Sequence, residues 1–379
     1  MVRNSPYRHP ISVVTVISVA IAFCIALLVP RTSAADIPIS QLQADAEKGL
    51  VPREIELAAA YFSGRGVPPD MRMAAYWYEK AAQSGDPAAQ NEIGFLYQTG
   101  VGVPADPARA IHWYMLSASS GLVKAKVNLG VVYFWGIGVP MDRPLARQLF
   151  REAANKGSGI ASTYLGDMYY FGTGVSQDRA AAESWYIKGV KLHDPVAAYN
   201  LASVFRGKDD HRSDLPKAAV LLRESVAGGY VPAMHLLGFL LVNHPDLAKS
   251  PQEARSLLET ASSAGSWKSS ALLGILARDG INMAADHEAA YYRFQIAILQ
   301  GGEEAKRLLA NDLKALSATL TNEQDETIAS NADAWFQQHR LALNFIYKDA
   351  ENSIRFPASA RAVAEGEAHG GQLIPPPPS

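Results

Sequence analysis

The feature that most constrains this chain is a spacing of 36 residues at which the same residue types return. Four Gly-x-Gly-Val tetrads begin at Gly64, Gly100, Gly136 and Gly172. The same spacing relates a column of leucine-type residues: Leu57, Ile93, Leu129, Leu165, Leu201, Leu237, Leu273 and Leu309. A chain that repeats one short unit in this way is predicted to fold as a stack of similar supersecondary units, each packed on its neighbours.

Each repeat is predicted to begin with a helix that ends at the glycine pair. Ala89, Ile93 and Tyr97 are four residues apart and therefore share one helix face. Gly94 follows the apolar column and lets a neighbouring helix approach closely. Gly100 and its equivalents can adopt the positive φ that ends a helix and turns the chain.

A second helix is predicted after a column of N-cap residues: Asp70, Asp106, Asp142, Asp178, Asp214, Ser250 and Asp286. Ser250 is followed by Pro251 and Glu253, which predicts a capping box. The second helices are expected to end at Gly85, Gly121, Gly157, Gly229, Gly265 and Gly301. In-phase aromatic pairs are predicted to be core: Trp77-Tyr78, Trp113-Tyr114 and Trp185-Tyr186.

The stretch from Ala89 to Gly121, with Ile93-Gly94 and Trp113-Tyr114, resembles the Sel1-like repeat, a 36-residue relative of the tetratricopeptide repeat. This resemblance covers about 38–310 and implies an all-α fold: a right-handed α/α superhelical solenoid of helix-turn-helix repeats with a C-terminal capping helix. Within a solenoid over 36–310, the repeats at 57–190 are strong and those at 191–310 are degenerate. The turn becomes Lys208–His211 in the first degenerate repeat.

The C-terminal region is predicted to cap the last repeat over 311–345. Thr321 and Gln324 form a capping box that starts a helix to about Arg340, with Ile328, Ala332 and Trp335 as its buried stripe. Residues 346–379 end in four prolines and a serine, which predicts a disordered tail.

Residues 1–35 are predicted to be a targeting segment. An apolar run over 11–29 follows Arg3 and Arg8 and precedes the small residues Thr32–Ala35. The run fits either a cleaved signal peptide or an uncleaved anchor in the inner membrane. Both interpretations place the rest of the chain outside the cytoplasm, in a bacterial periplasm or cell envelope. Cys24, the single cysteine, lies inside this run and is interpreted as a small apolar residue.

No catalytic motif is found in the sequence. It lacks a phosphate-binding loop and a Gly-x-Ser-x-Gly elbow, and His287-Glu288 lacks the second histidine of a zinc motif. Asp209–His211 is interpreted as a solvated loop. Lys plus Arg total 35 against 37 for Asp plus Glu, which excludes the basic excess of a nucleic-acid-binding protein. We therefore predict no enzymatic activity, no cofactor and no metal site.

The predicted function is a scaffold or regulator that binds a protein or peptide partner in a concave groove lined by the first helices. Helical spacing places consecutive aromatic pairs opposite the apolar face of these helices. The candidate partner-binding residues are Asn128, Phe134, Trp135, Tyr164, Asp167, Tyr170, Phe171, Asn200 and Arg206. One alternative is that the aromatic residues pack against the following turn. Another is that the protein binds peptidoglycan or another glycan, or is a weak hydrolase. Membrane contact is expected only through 11–29, if this segment stays uncleaved.

Overall fold

The fold is described from a computed structural model, in which residues 37–207, 213–281 and 284–351 are placed, the last twelve of these by their backbone alone. Within these residues the regular structure consists of sixteen α-helices and one short 3-10 helix, without strands, as the sequence predicts. The chain divides into two compact units, Met1–Leu192 and His193–Ser379. The predicted N-terminal targeting segment, the Lys208–His211 turn, and the proline tail lie outside the described residues.

The first unit contains nine helices, of which α1 precedes four helix pairs. Their bounds are α1 Ile39–Glu47, α2 Val51–Ser63, α3 Met71–Gln83, α4 Pro87–Thr99, α5 Pro107–Ser119, α6 Val123–Trp135, α7 Arg143–Asn155, α8 Gly159–Phe171 and α9 Arg179–Lys191. The even-numbered helices are the first helices of the repeats, and each packs against the second helix that follows it. Within this unit the pairs therefore stack as in an α-solenoid.

The second unit contains seven α-helices. Their bounds are α10 Pro195–Arg206, α11 Leu215–Ala227, α12 Val231–Asn243, α13 Glu253–Ser263, α14 Trp267–Asp279, α15 His287–Ser317 and α16 Asn322–Glu351, with a 3-10 helix at Pro245–Leu247 before α13. The first helices here are α10, α12 and α14. None of the helices in the described part of the chain combines the length and the apolar character needed to cross a membrane.

Aspartate side chains start the second helices, because each carboxylate accepts hydrogen bonds that the first helical turn cannot satisfy itself. Asp70 accepts from the amides of Arg72 and Met73 at 2.9 and 3.1 Å. The same kind of hydrogen bond, donated by the backbone amide of the residue three positions later, is accepted by the carboxylates of Asp106, Asp142, Asp178, Asp214 and Asp286. These hydrogen bonds confirm six of the seven predicted N-caps.

The predicted capping box at Ser250 is wrong. Helix α13 begins three residues later, at Glu253, and the residue at its N-cap position is Gln252. The carboxylate of Glu253 accepts from the Lys249 amide at 2.5 Å and pairs with Arg223 on α11 at 2.9 Å. Because the tertiary ion pair holds this carboxylate, a helix start at Ser250 is not adopted.

Close packing inside each repeat depends on a small residue in the first helix. The first-helix glycine lies against a large side chain twenty residues later, so that an added Cβ would come within 2.9 Å or less of that side chain. The pairs are Gly94–Tyr114, Gly130–Phe150, Gly166–Tyr186, Gly238–Leu258 and Gly274–Phe294. The predicted role of this glycine column is confirmed: it removes the Cβ that would separate the two helices.

The second glycine of each turn has a role that the sequence alone did not reveal. Gly102 has a φ of +74°, and an added Cβ would overlap the carbonyl of Met71 at the start of α3. An added Cβ at Gly138 would overlap the side chain of Pro107 at the start of α5. Each turn therefore packs on the second helix of the preceding repeat, and this contact joins successive repeats.

The C-terminal helices depart from the prediction at two points. The second helix ends one residue later than predicted, because non-helical backbone angles occur at Gly302 (φ 59°) and not at Gly301. The range given for α15 therefore contains two helical segments joined by a kink at Gly302. The capping box is confirmed, because Gln324 N donates to Thr321 Oγ1 at 3.3 Å and Thr321 N donates to Gln324 Oε1 at 2.9 Å. Helix α16 extends beyond Arg340 to Glu351. The domain boundaries at 310 and 345 stay predictions.

The predicted stripe of α16 lies against the end of the repeats. Ala332 is buried, and Ile328 joins a hydrophobic cluster that includes Leu309 and Leu316 of α15. Trp335 is half-buried and stacks on His339, with ring centroids 4.1 Å apart. These contacts cover apolar side chains of α15, which is the physical role expected of a capping helix.

Candidate partner-binding site

The nine candidate residues fall into both units. Asn128, Phe134 and Trp135 lie on α6, while Tyr164, Asp167, Tyr170 and Phe171 lie on α8. Asn200 and Arg206 lie on α10 of the second unit. Because α6 and α8 are first helices of consecutive repeats, residues 36 apart occupy equivalent places on them. The two sets are described separately below.

Three of the candidate side chains are buried and do not form part of the solvent-accessible surface. Phe134, Tyr164 and Asp167 are 1%, 4% and 1% exposed. The ring of Tyr164 stacks on Phe150 of α7, with centroids 4.5 Å apart and planes 2° from parallel. The carboxylate of Asp167 accepts a hydrogen bond of 2.7 Å from the hydroxyl of Tyr186.

The placement of Phe134 on the outward face is therefore corrected. The equivalent residue one repeat earlier, Gln98, accepts a hydrogen bond of 2.7 Å from the hydroxyl of Tyr114, so this column points at the second helix. Phe134 packs in the same direction, 6.4 Å from the ring of Phe150. Successive residues differ by about 100° around a helix, so Trp135, the next residue, does not share the direction of Phe134.

Three aromatic residues, Trp135, Tyr170 and Phe171, are half-buried, and we call them the aromatic edge. They close the last turns of α6 and α8, immediately before the left-handed glycines Gly136 and Gly172. The rings of Tyr170 and Phe171 meet edge to face at 5.0 Å. The carbonyl of Tyr170 accepts a hydrogen bond of 2.8 Å from Gln177 in the following turn. These rings contact their own repeat and also reach the surface, so their role in partner binding stays a prediction.

A polar network that the sequence analysis missed connects α4 to α6. Asn128 Nδ2 donates to Asn91 Oδ1 at 2.9 Å, and Asn91 Nδ2 donates to Glu92 Oε1 at 3.1 Å. Lys124 Nζ lies 2.7 Å from the same carboxylate oxygen. The repeat spacing was the available signal, since Glu92 and Asn128 are equivalent residues in consecutive first helices.

The carboxylate of Glu92 also affects two tyrosines in the core. Burial, reinforced by the negative charge of Glu92, raises the pKa of Tyr78 and of Tyr114 above their usual range. Both phenols therefore stay neutral at physiological pH. Within the described residues, no group of three or more acidic, histidine or cysteine side chains is arranged to hold a metal ion.

In the second unit, the structure adds two residues to the predicted pair Asn200 and Arg206. His235 lies on α12, and its Nδ1 is 3.0 Å from the hydroxyl oxygen of Ser269 on α14. Burial, with smaller contributions from the positive charges of Lys268 and Arg206, lowers the pKa of His235 to about 3. His235 is therefore neutral at physiological pH, and it lies within the electrostatic field of two cations on neighbouring first helices.

Comparison with known proteins identifies the repeats. A family model described as Sel1 repeat matches residues 54–86, 87–122, 123–158, 160–194, 195–230 and 231–266. These matches span more than half of the chain, and they include two repeats that the sequence analysis called degenerate. Each matched segment covers all or most of one first helix and the second helix that follows it.

Solved structures share the same fold. The protective antigen c5321 of uropathogenic Escherichia coli, which displays an SLR fold, is 24% identical over 80% of this chain, with a TM-score of 0.66. The match covers 65% of that antigen, less than two thirds of its length. A Sel1 repeat protein from Oxalobacter formigenes is 28% identical over 59% of this chain and 89% of its own, with a TM-score of 0.52. No protein of curated function matches the sequence.

Proposed function

Because the chain belongs to the Sel1 repeat family, we propose that it is a non-catalytic scaffold that binds a protein or peptide on its first helices. Sel1 repeat proteins generally bind protein partners. We place the protein outside the cytoplasm, exported or anchored by the apolar run at 11–29. In this location it would serve signalling or assembly in the cell envelope.

The observation that carries the proposal is the aromatic edge. Trp135 and Phe171 occupy equivalent positions at the ends of two consecutive first helices, and both are half-buried. An aromatic side chain held on one side by its own fold loses little conformational freedom when a partner covers the other side. Tryptophan and tyrosine held in this way are typical anchors of protein interfaces.

The polar network next to the aromatic edge supports a peptide partner. Asn128 has an amide group that can donate to or accept from a peptide backbone, and its side chain is held in place by Asn91. Glu92 and Lys124 neutralise each other within this network. The first unit is therefore proposed to bind a segment that presents apolar side chains rather than one that is strongly charged.

Site-specific photo-crosslinking in living cells tests the proposal. The full chain carries p-benzoylphenylalanine in place of Phe171 or, as a control, in place of Tyr76, which is 55% exposed on the second helix α3. We expect a discrete protein adduct from position 171 that is absent from position 76. The combined change Trp135→Ala and Tyr170→Ala should lower the adduct yield, whereas Met115→Ala, at another exposed second-helix residue, should not.

Two outcomes would contradict this function. Adducts of equal yield from positions 171 and 76 would mean that the first helices have no selective surface. Retention of glycan fragments, with no protein adduct, would favour the alternative of a glycan-binding envelope protein.

The location has its own test. Alkaline phosphatase fused after Ser379 should be active in cells, because the enzyme acquires its disulfides only outside the cytoplasm. Deletion of 1–35 should abolish that activity, and the mass of the intact chain distinguishes a cleaved signal from an anchor. An inactive full-length fusion that accumulates normally would contradict export.

A further inference from the structure

The C-terminal ends of three second helices in the first unit carry both apolar and basic side chains. Helices α5, α7 and α9 belong to consecutive repeats, so residues 36 apart occupy equivalent places on them. Four large apolar side chains are between 37% and 53% exposed at these ends: Met115, Leu116, Ile187 and Leu192. The same ends carry four cations: Arg151, Lys156, Lys188 and Lys191. We call these eight residues the basic apolar patch.

Two contacts show that the three helix ends adjoin one another. Lys188 Nζ of α9 donates a hydrogen bond of 3.3 Å to Asn155 Oδ1 of α7. Lys156 Nζ, at the end of α7, would lie 3.9 Å from a Cβ added to Gly121, just after α5. Because one lysine reaches from α9 to α7 and the other from α7 to the end of α5, the basic apolar patch is one continuous surface.

Little negative charge offsets the four cations of the patch. The acidic residues of α5, α7 and α9 are Glu152 and Glu183. Glu152 pairs with Lys126 of α6, and Glu183 lies in the first half of α9, where it interacts within the fold. Three aspartates cap the opposite ends of these helices: Asp106, Asp142 and Asp178. The ion pairs between described residues of this unit use other cations, namely Lys48, Arg53, Lys80, Arg109, Lys124 and Lys126.

The helix dipole explains only part of this composition. A cation at the C-terminus of a helix is stabilised by the dipole, which accounts for Lys156 and Lys191. The dipole does not account for Arg151, which precedes the last turn of α7, or for the exposed apolar side chains. Exposed apolar residues normally occur singly, and a group of them marks an interaction surface. Their combination with cations is typical of a surface that lies on a membrane, because apolar side chains enter the headgroup region and cations attract anionic lipids.

The chain that precedes α1 favours a bilayer over an acidic protein as the occupant of the patch. Nine residues, 30–38, separate the apolar run at 11–29 from the start of α1 at Ile39. A segment of nine residues reaches at most about 30 Å. An uncleaved anchor would therefore hold the first unit close to the bilayer. A surface tethered in this way meets lipid at a high effective concentration, so a modest attraction is sufficient for docking.

We propose that the basic apolar patch docks on the anionic phospholipid surface of the bilayer outside the cytoplasm. This inference rests on the proposed location of the chain, and it adds a second membrane contact to the one expected at 11–29. The four cations contact lipid phosphates, and the four apolar side chains lie at the level of the headgroups. The aromatic edge lies where first helices end and second helices begin, so it is about one helix length, roughly 20 Å, from the patch. Docking on lipid therefore leaves the aromatic edge open to a protein partner.

The test follows an environment-sensitive fluorophore, NBD, on the full chain reconstituted in vesicles. Cys24→Ser removes the single cysteine, and Ser119→Cys supplies a labelling site at an exposed position of α5, equivalent to Lys191. Ser176→Cys, at an exposed serine just before the start of α9, is the matched control. The vesicles contain phosphatidylcholine with or without phosphatidylglycerol.

Two double substitutions separate the patch from net charge. Arg151→Gln with Lys191→Gln removes two exposed cations of the patch, and Arg65→Gln with Arg72→Gln removes two exposed cations elsewhere in the same unit. Circular dichroism during thermal unfolding verifies that both variants fold.

We expect the emission of the label at position 119 to shift to shorter wavelength only in vesicles that contain phosphatidylglycerol, and the label at position 176 to stay unchanged. The Arg151→Gln/Lys191→Gln variant should lower the ratio of docked to undocked label about tenfold. The Arg65→Gln/Arg72→Gln variant should change this ratio by less than about twofold, because salt screens distant charges. Equal effects of the two variants, an equal shift without anionic lipid, or no shift at position 119 would overturn the proposal.

The docking and the proposed location fail in different ways. An active alkaline phosphatase fusion without a shift at position 119 would support the location and contradict docking. A shift at position 119 that depends on Arg151 and Lys191, with an inactive fusion, would support lipid binding by the patch and contradict export.

Discussion

Substituting alanine at two glycines of the repeat should destabilise the fold by different amounts. At Gly85 alanine meets only an unfavourable backbone conformation, whereas at Gly102 it also meets a steric overlap with a neighbouring repeat. Gly85 and Gly102 both have left-handed φ angles, of 91° and 74°. A Cβ at Gly85 meets nothing within 4 Å, whereas a Cβ at Gly102 overlaps the backbone carbonyl of Met71. The change at Gly85 therefore isolates the cost of the backbone conformation, and the change at Gly102 adds the cost of the contact between repeats.

The magnitudes follow from these two costs. A left-handed conformation costs an L-residue about 1–2 kcal/mol. Alanine also reduces the conformational entropy of the unfolded chain, which stabilises the folded state by about 0.4–1 kcal/mol. Gly85→Ala should therefore lower the free energy of unfolding by about 1 kcal/mol. Gly102→Ala should lower it by about 1–3 kcal/mol more, the usual cost of overpacking, because the start of α3 must move.

Urea unfolding of the full chain, followed by far-ultraviolet circular dichroism, measures both variants. Because repeats can unfold separately, the slope of the transition is compared as well as its midpoint. A broader transition for Gly102→Ala alone would mean that successive repeats have become less coupled. Equal losses of stability at Gly85 and Gly102 would refute the conclusion that the turn glycine joins consecutive repeats.

Three further predictions concern the caps, the core and acid stability. Asp106→Ala should lower the free energy of unfolding by about 1 kcal/mol. Ser250→Ala should change it little, since Ser250 does not cap α13. Equal losses of stability in urea unfolding would contradict this difference between the two residues. Phe134→Ala should cost about 3–5 kcal/mol as a core truncation, and Trp135→Ala clearly less, as measured by thermal unfolding; a larger loss at Trp135 would remove it from the aromatic edge. The depressed pKa of His235 means that the unfolded state binds more protons below pH 6.5. The free energy of unfolding should therefore fall as the pH is lowered from 6.5 to about 3. His235→Gln should reduce the slope of this free energy against pH by at most about 1.4 kcal/mol per pH unit. An unchanged slope would contradict a neutral His235 in the folded protein.

Local features of the fold were predictable because they depend on residues close in the sequence. An aspartate that caps a helix satisfies amides two or three residues away, as Asp70 does for Arg72 and Met73. The glycine turns likewise follow from the backbone freedom of one residue. The prediction at Ser250 failed because Glu253 pairs with Arg223, thirty residues away, and no local pattern contains that contact.

The candidate site was predicted less completely for the same reason. The repeat period located the aromatic residues at the ends of α6 and α8 but did not show that Phe134 turns toward Phe150. The network through Asn91 and Glu92, and the position of His235 beside Ser269, depend on side chains from different repeats. Such contacts exist only after the helices have stacked.

The sequence by itself determined the helical repeat, its length and its turns, because these arise from hydrogen bonds and backbone angles within one repeat. Only the tertiary structure decided which side chains of a first helix are buried and which charges remain on its surface. Lys124 and Lys268 illustrate this division. They are the same residue at the same repeat position, yet Lys124 lies against the carboxylate of Glu92, and Leu236 occupies the equivalent place in the second unit. Stacking of the repeats therefore decides which side chain lies beside a given repeat position.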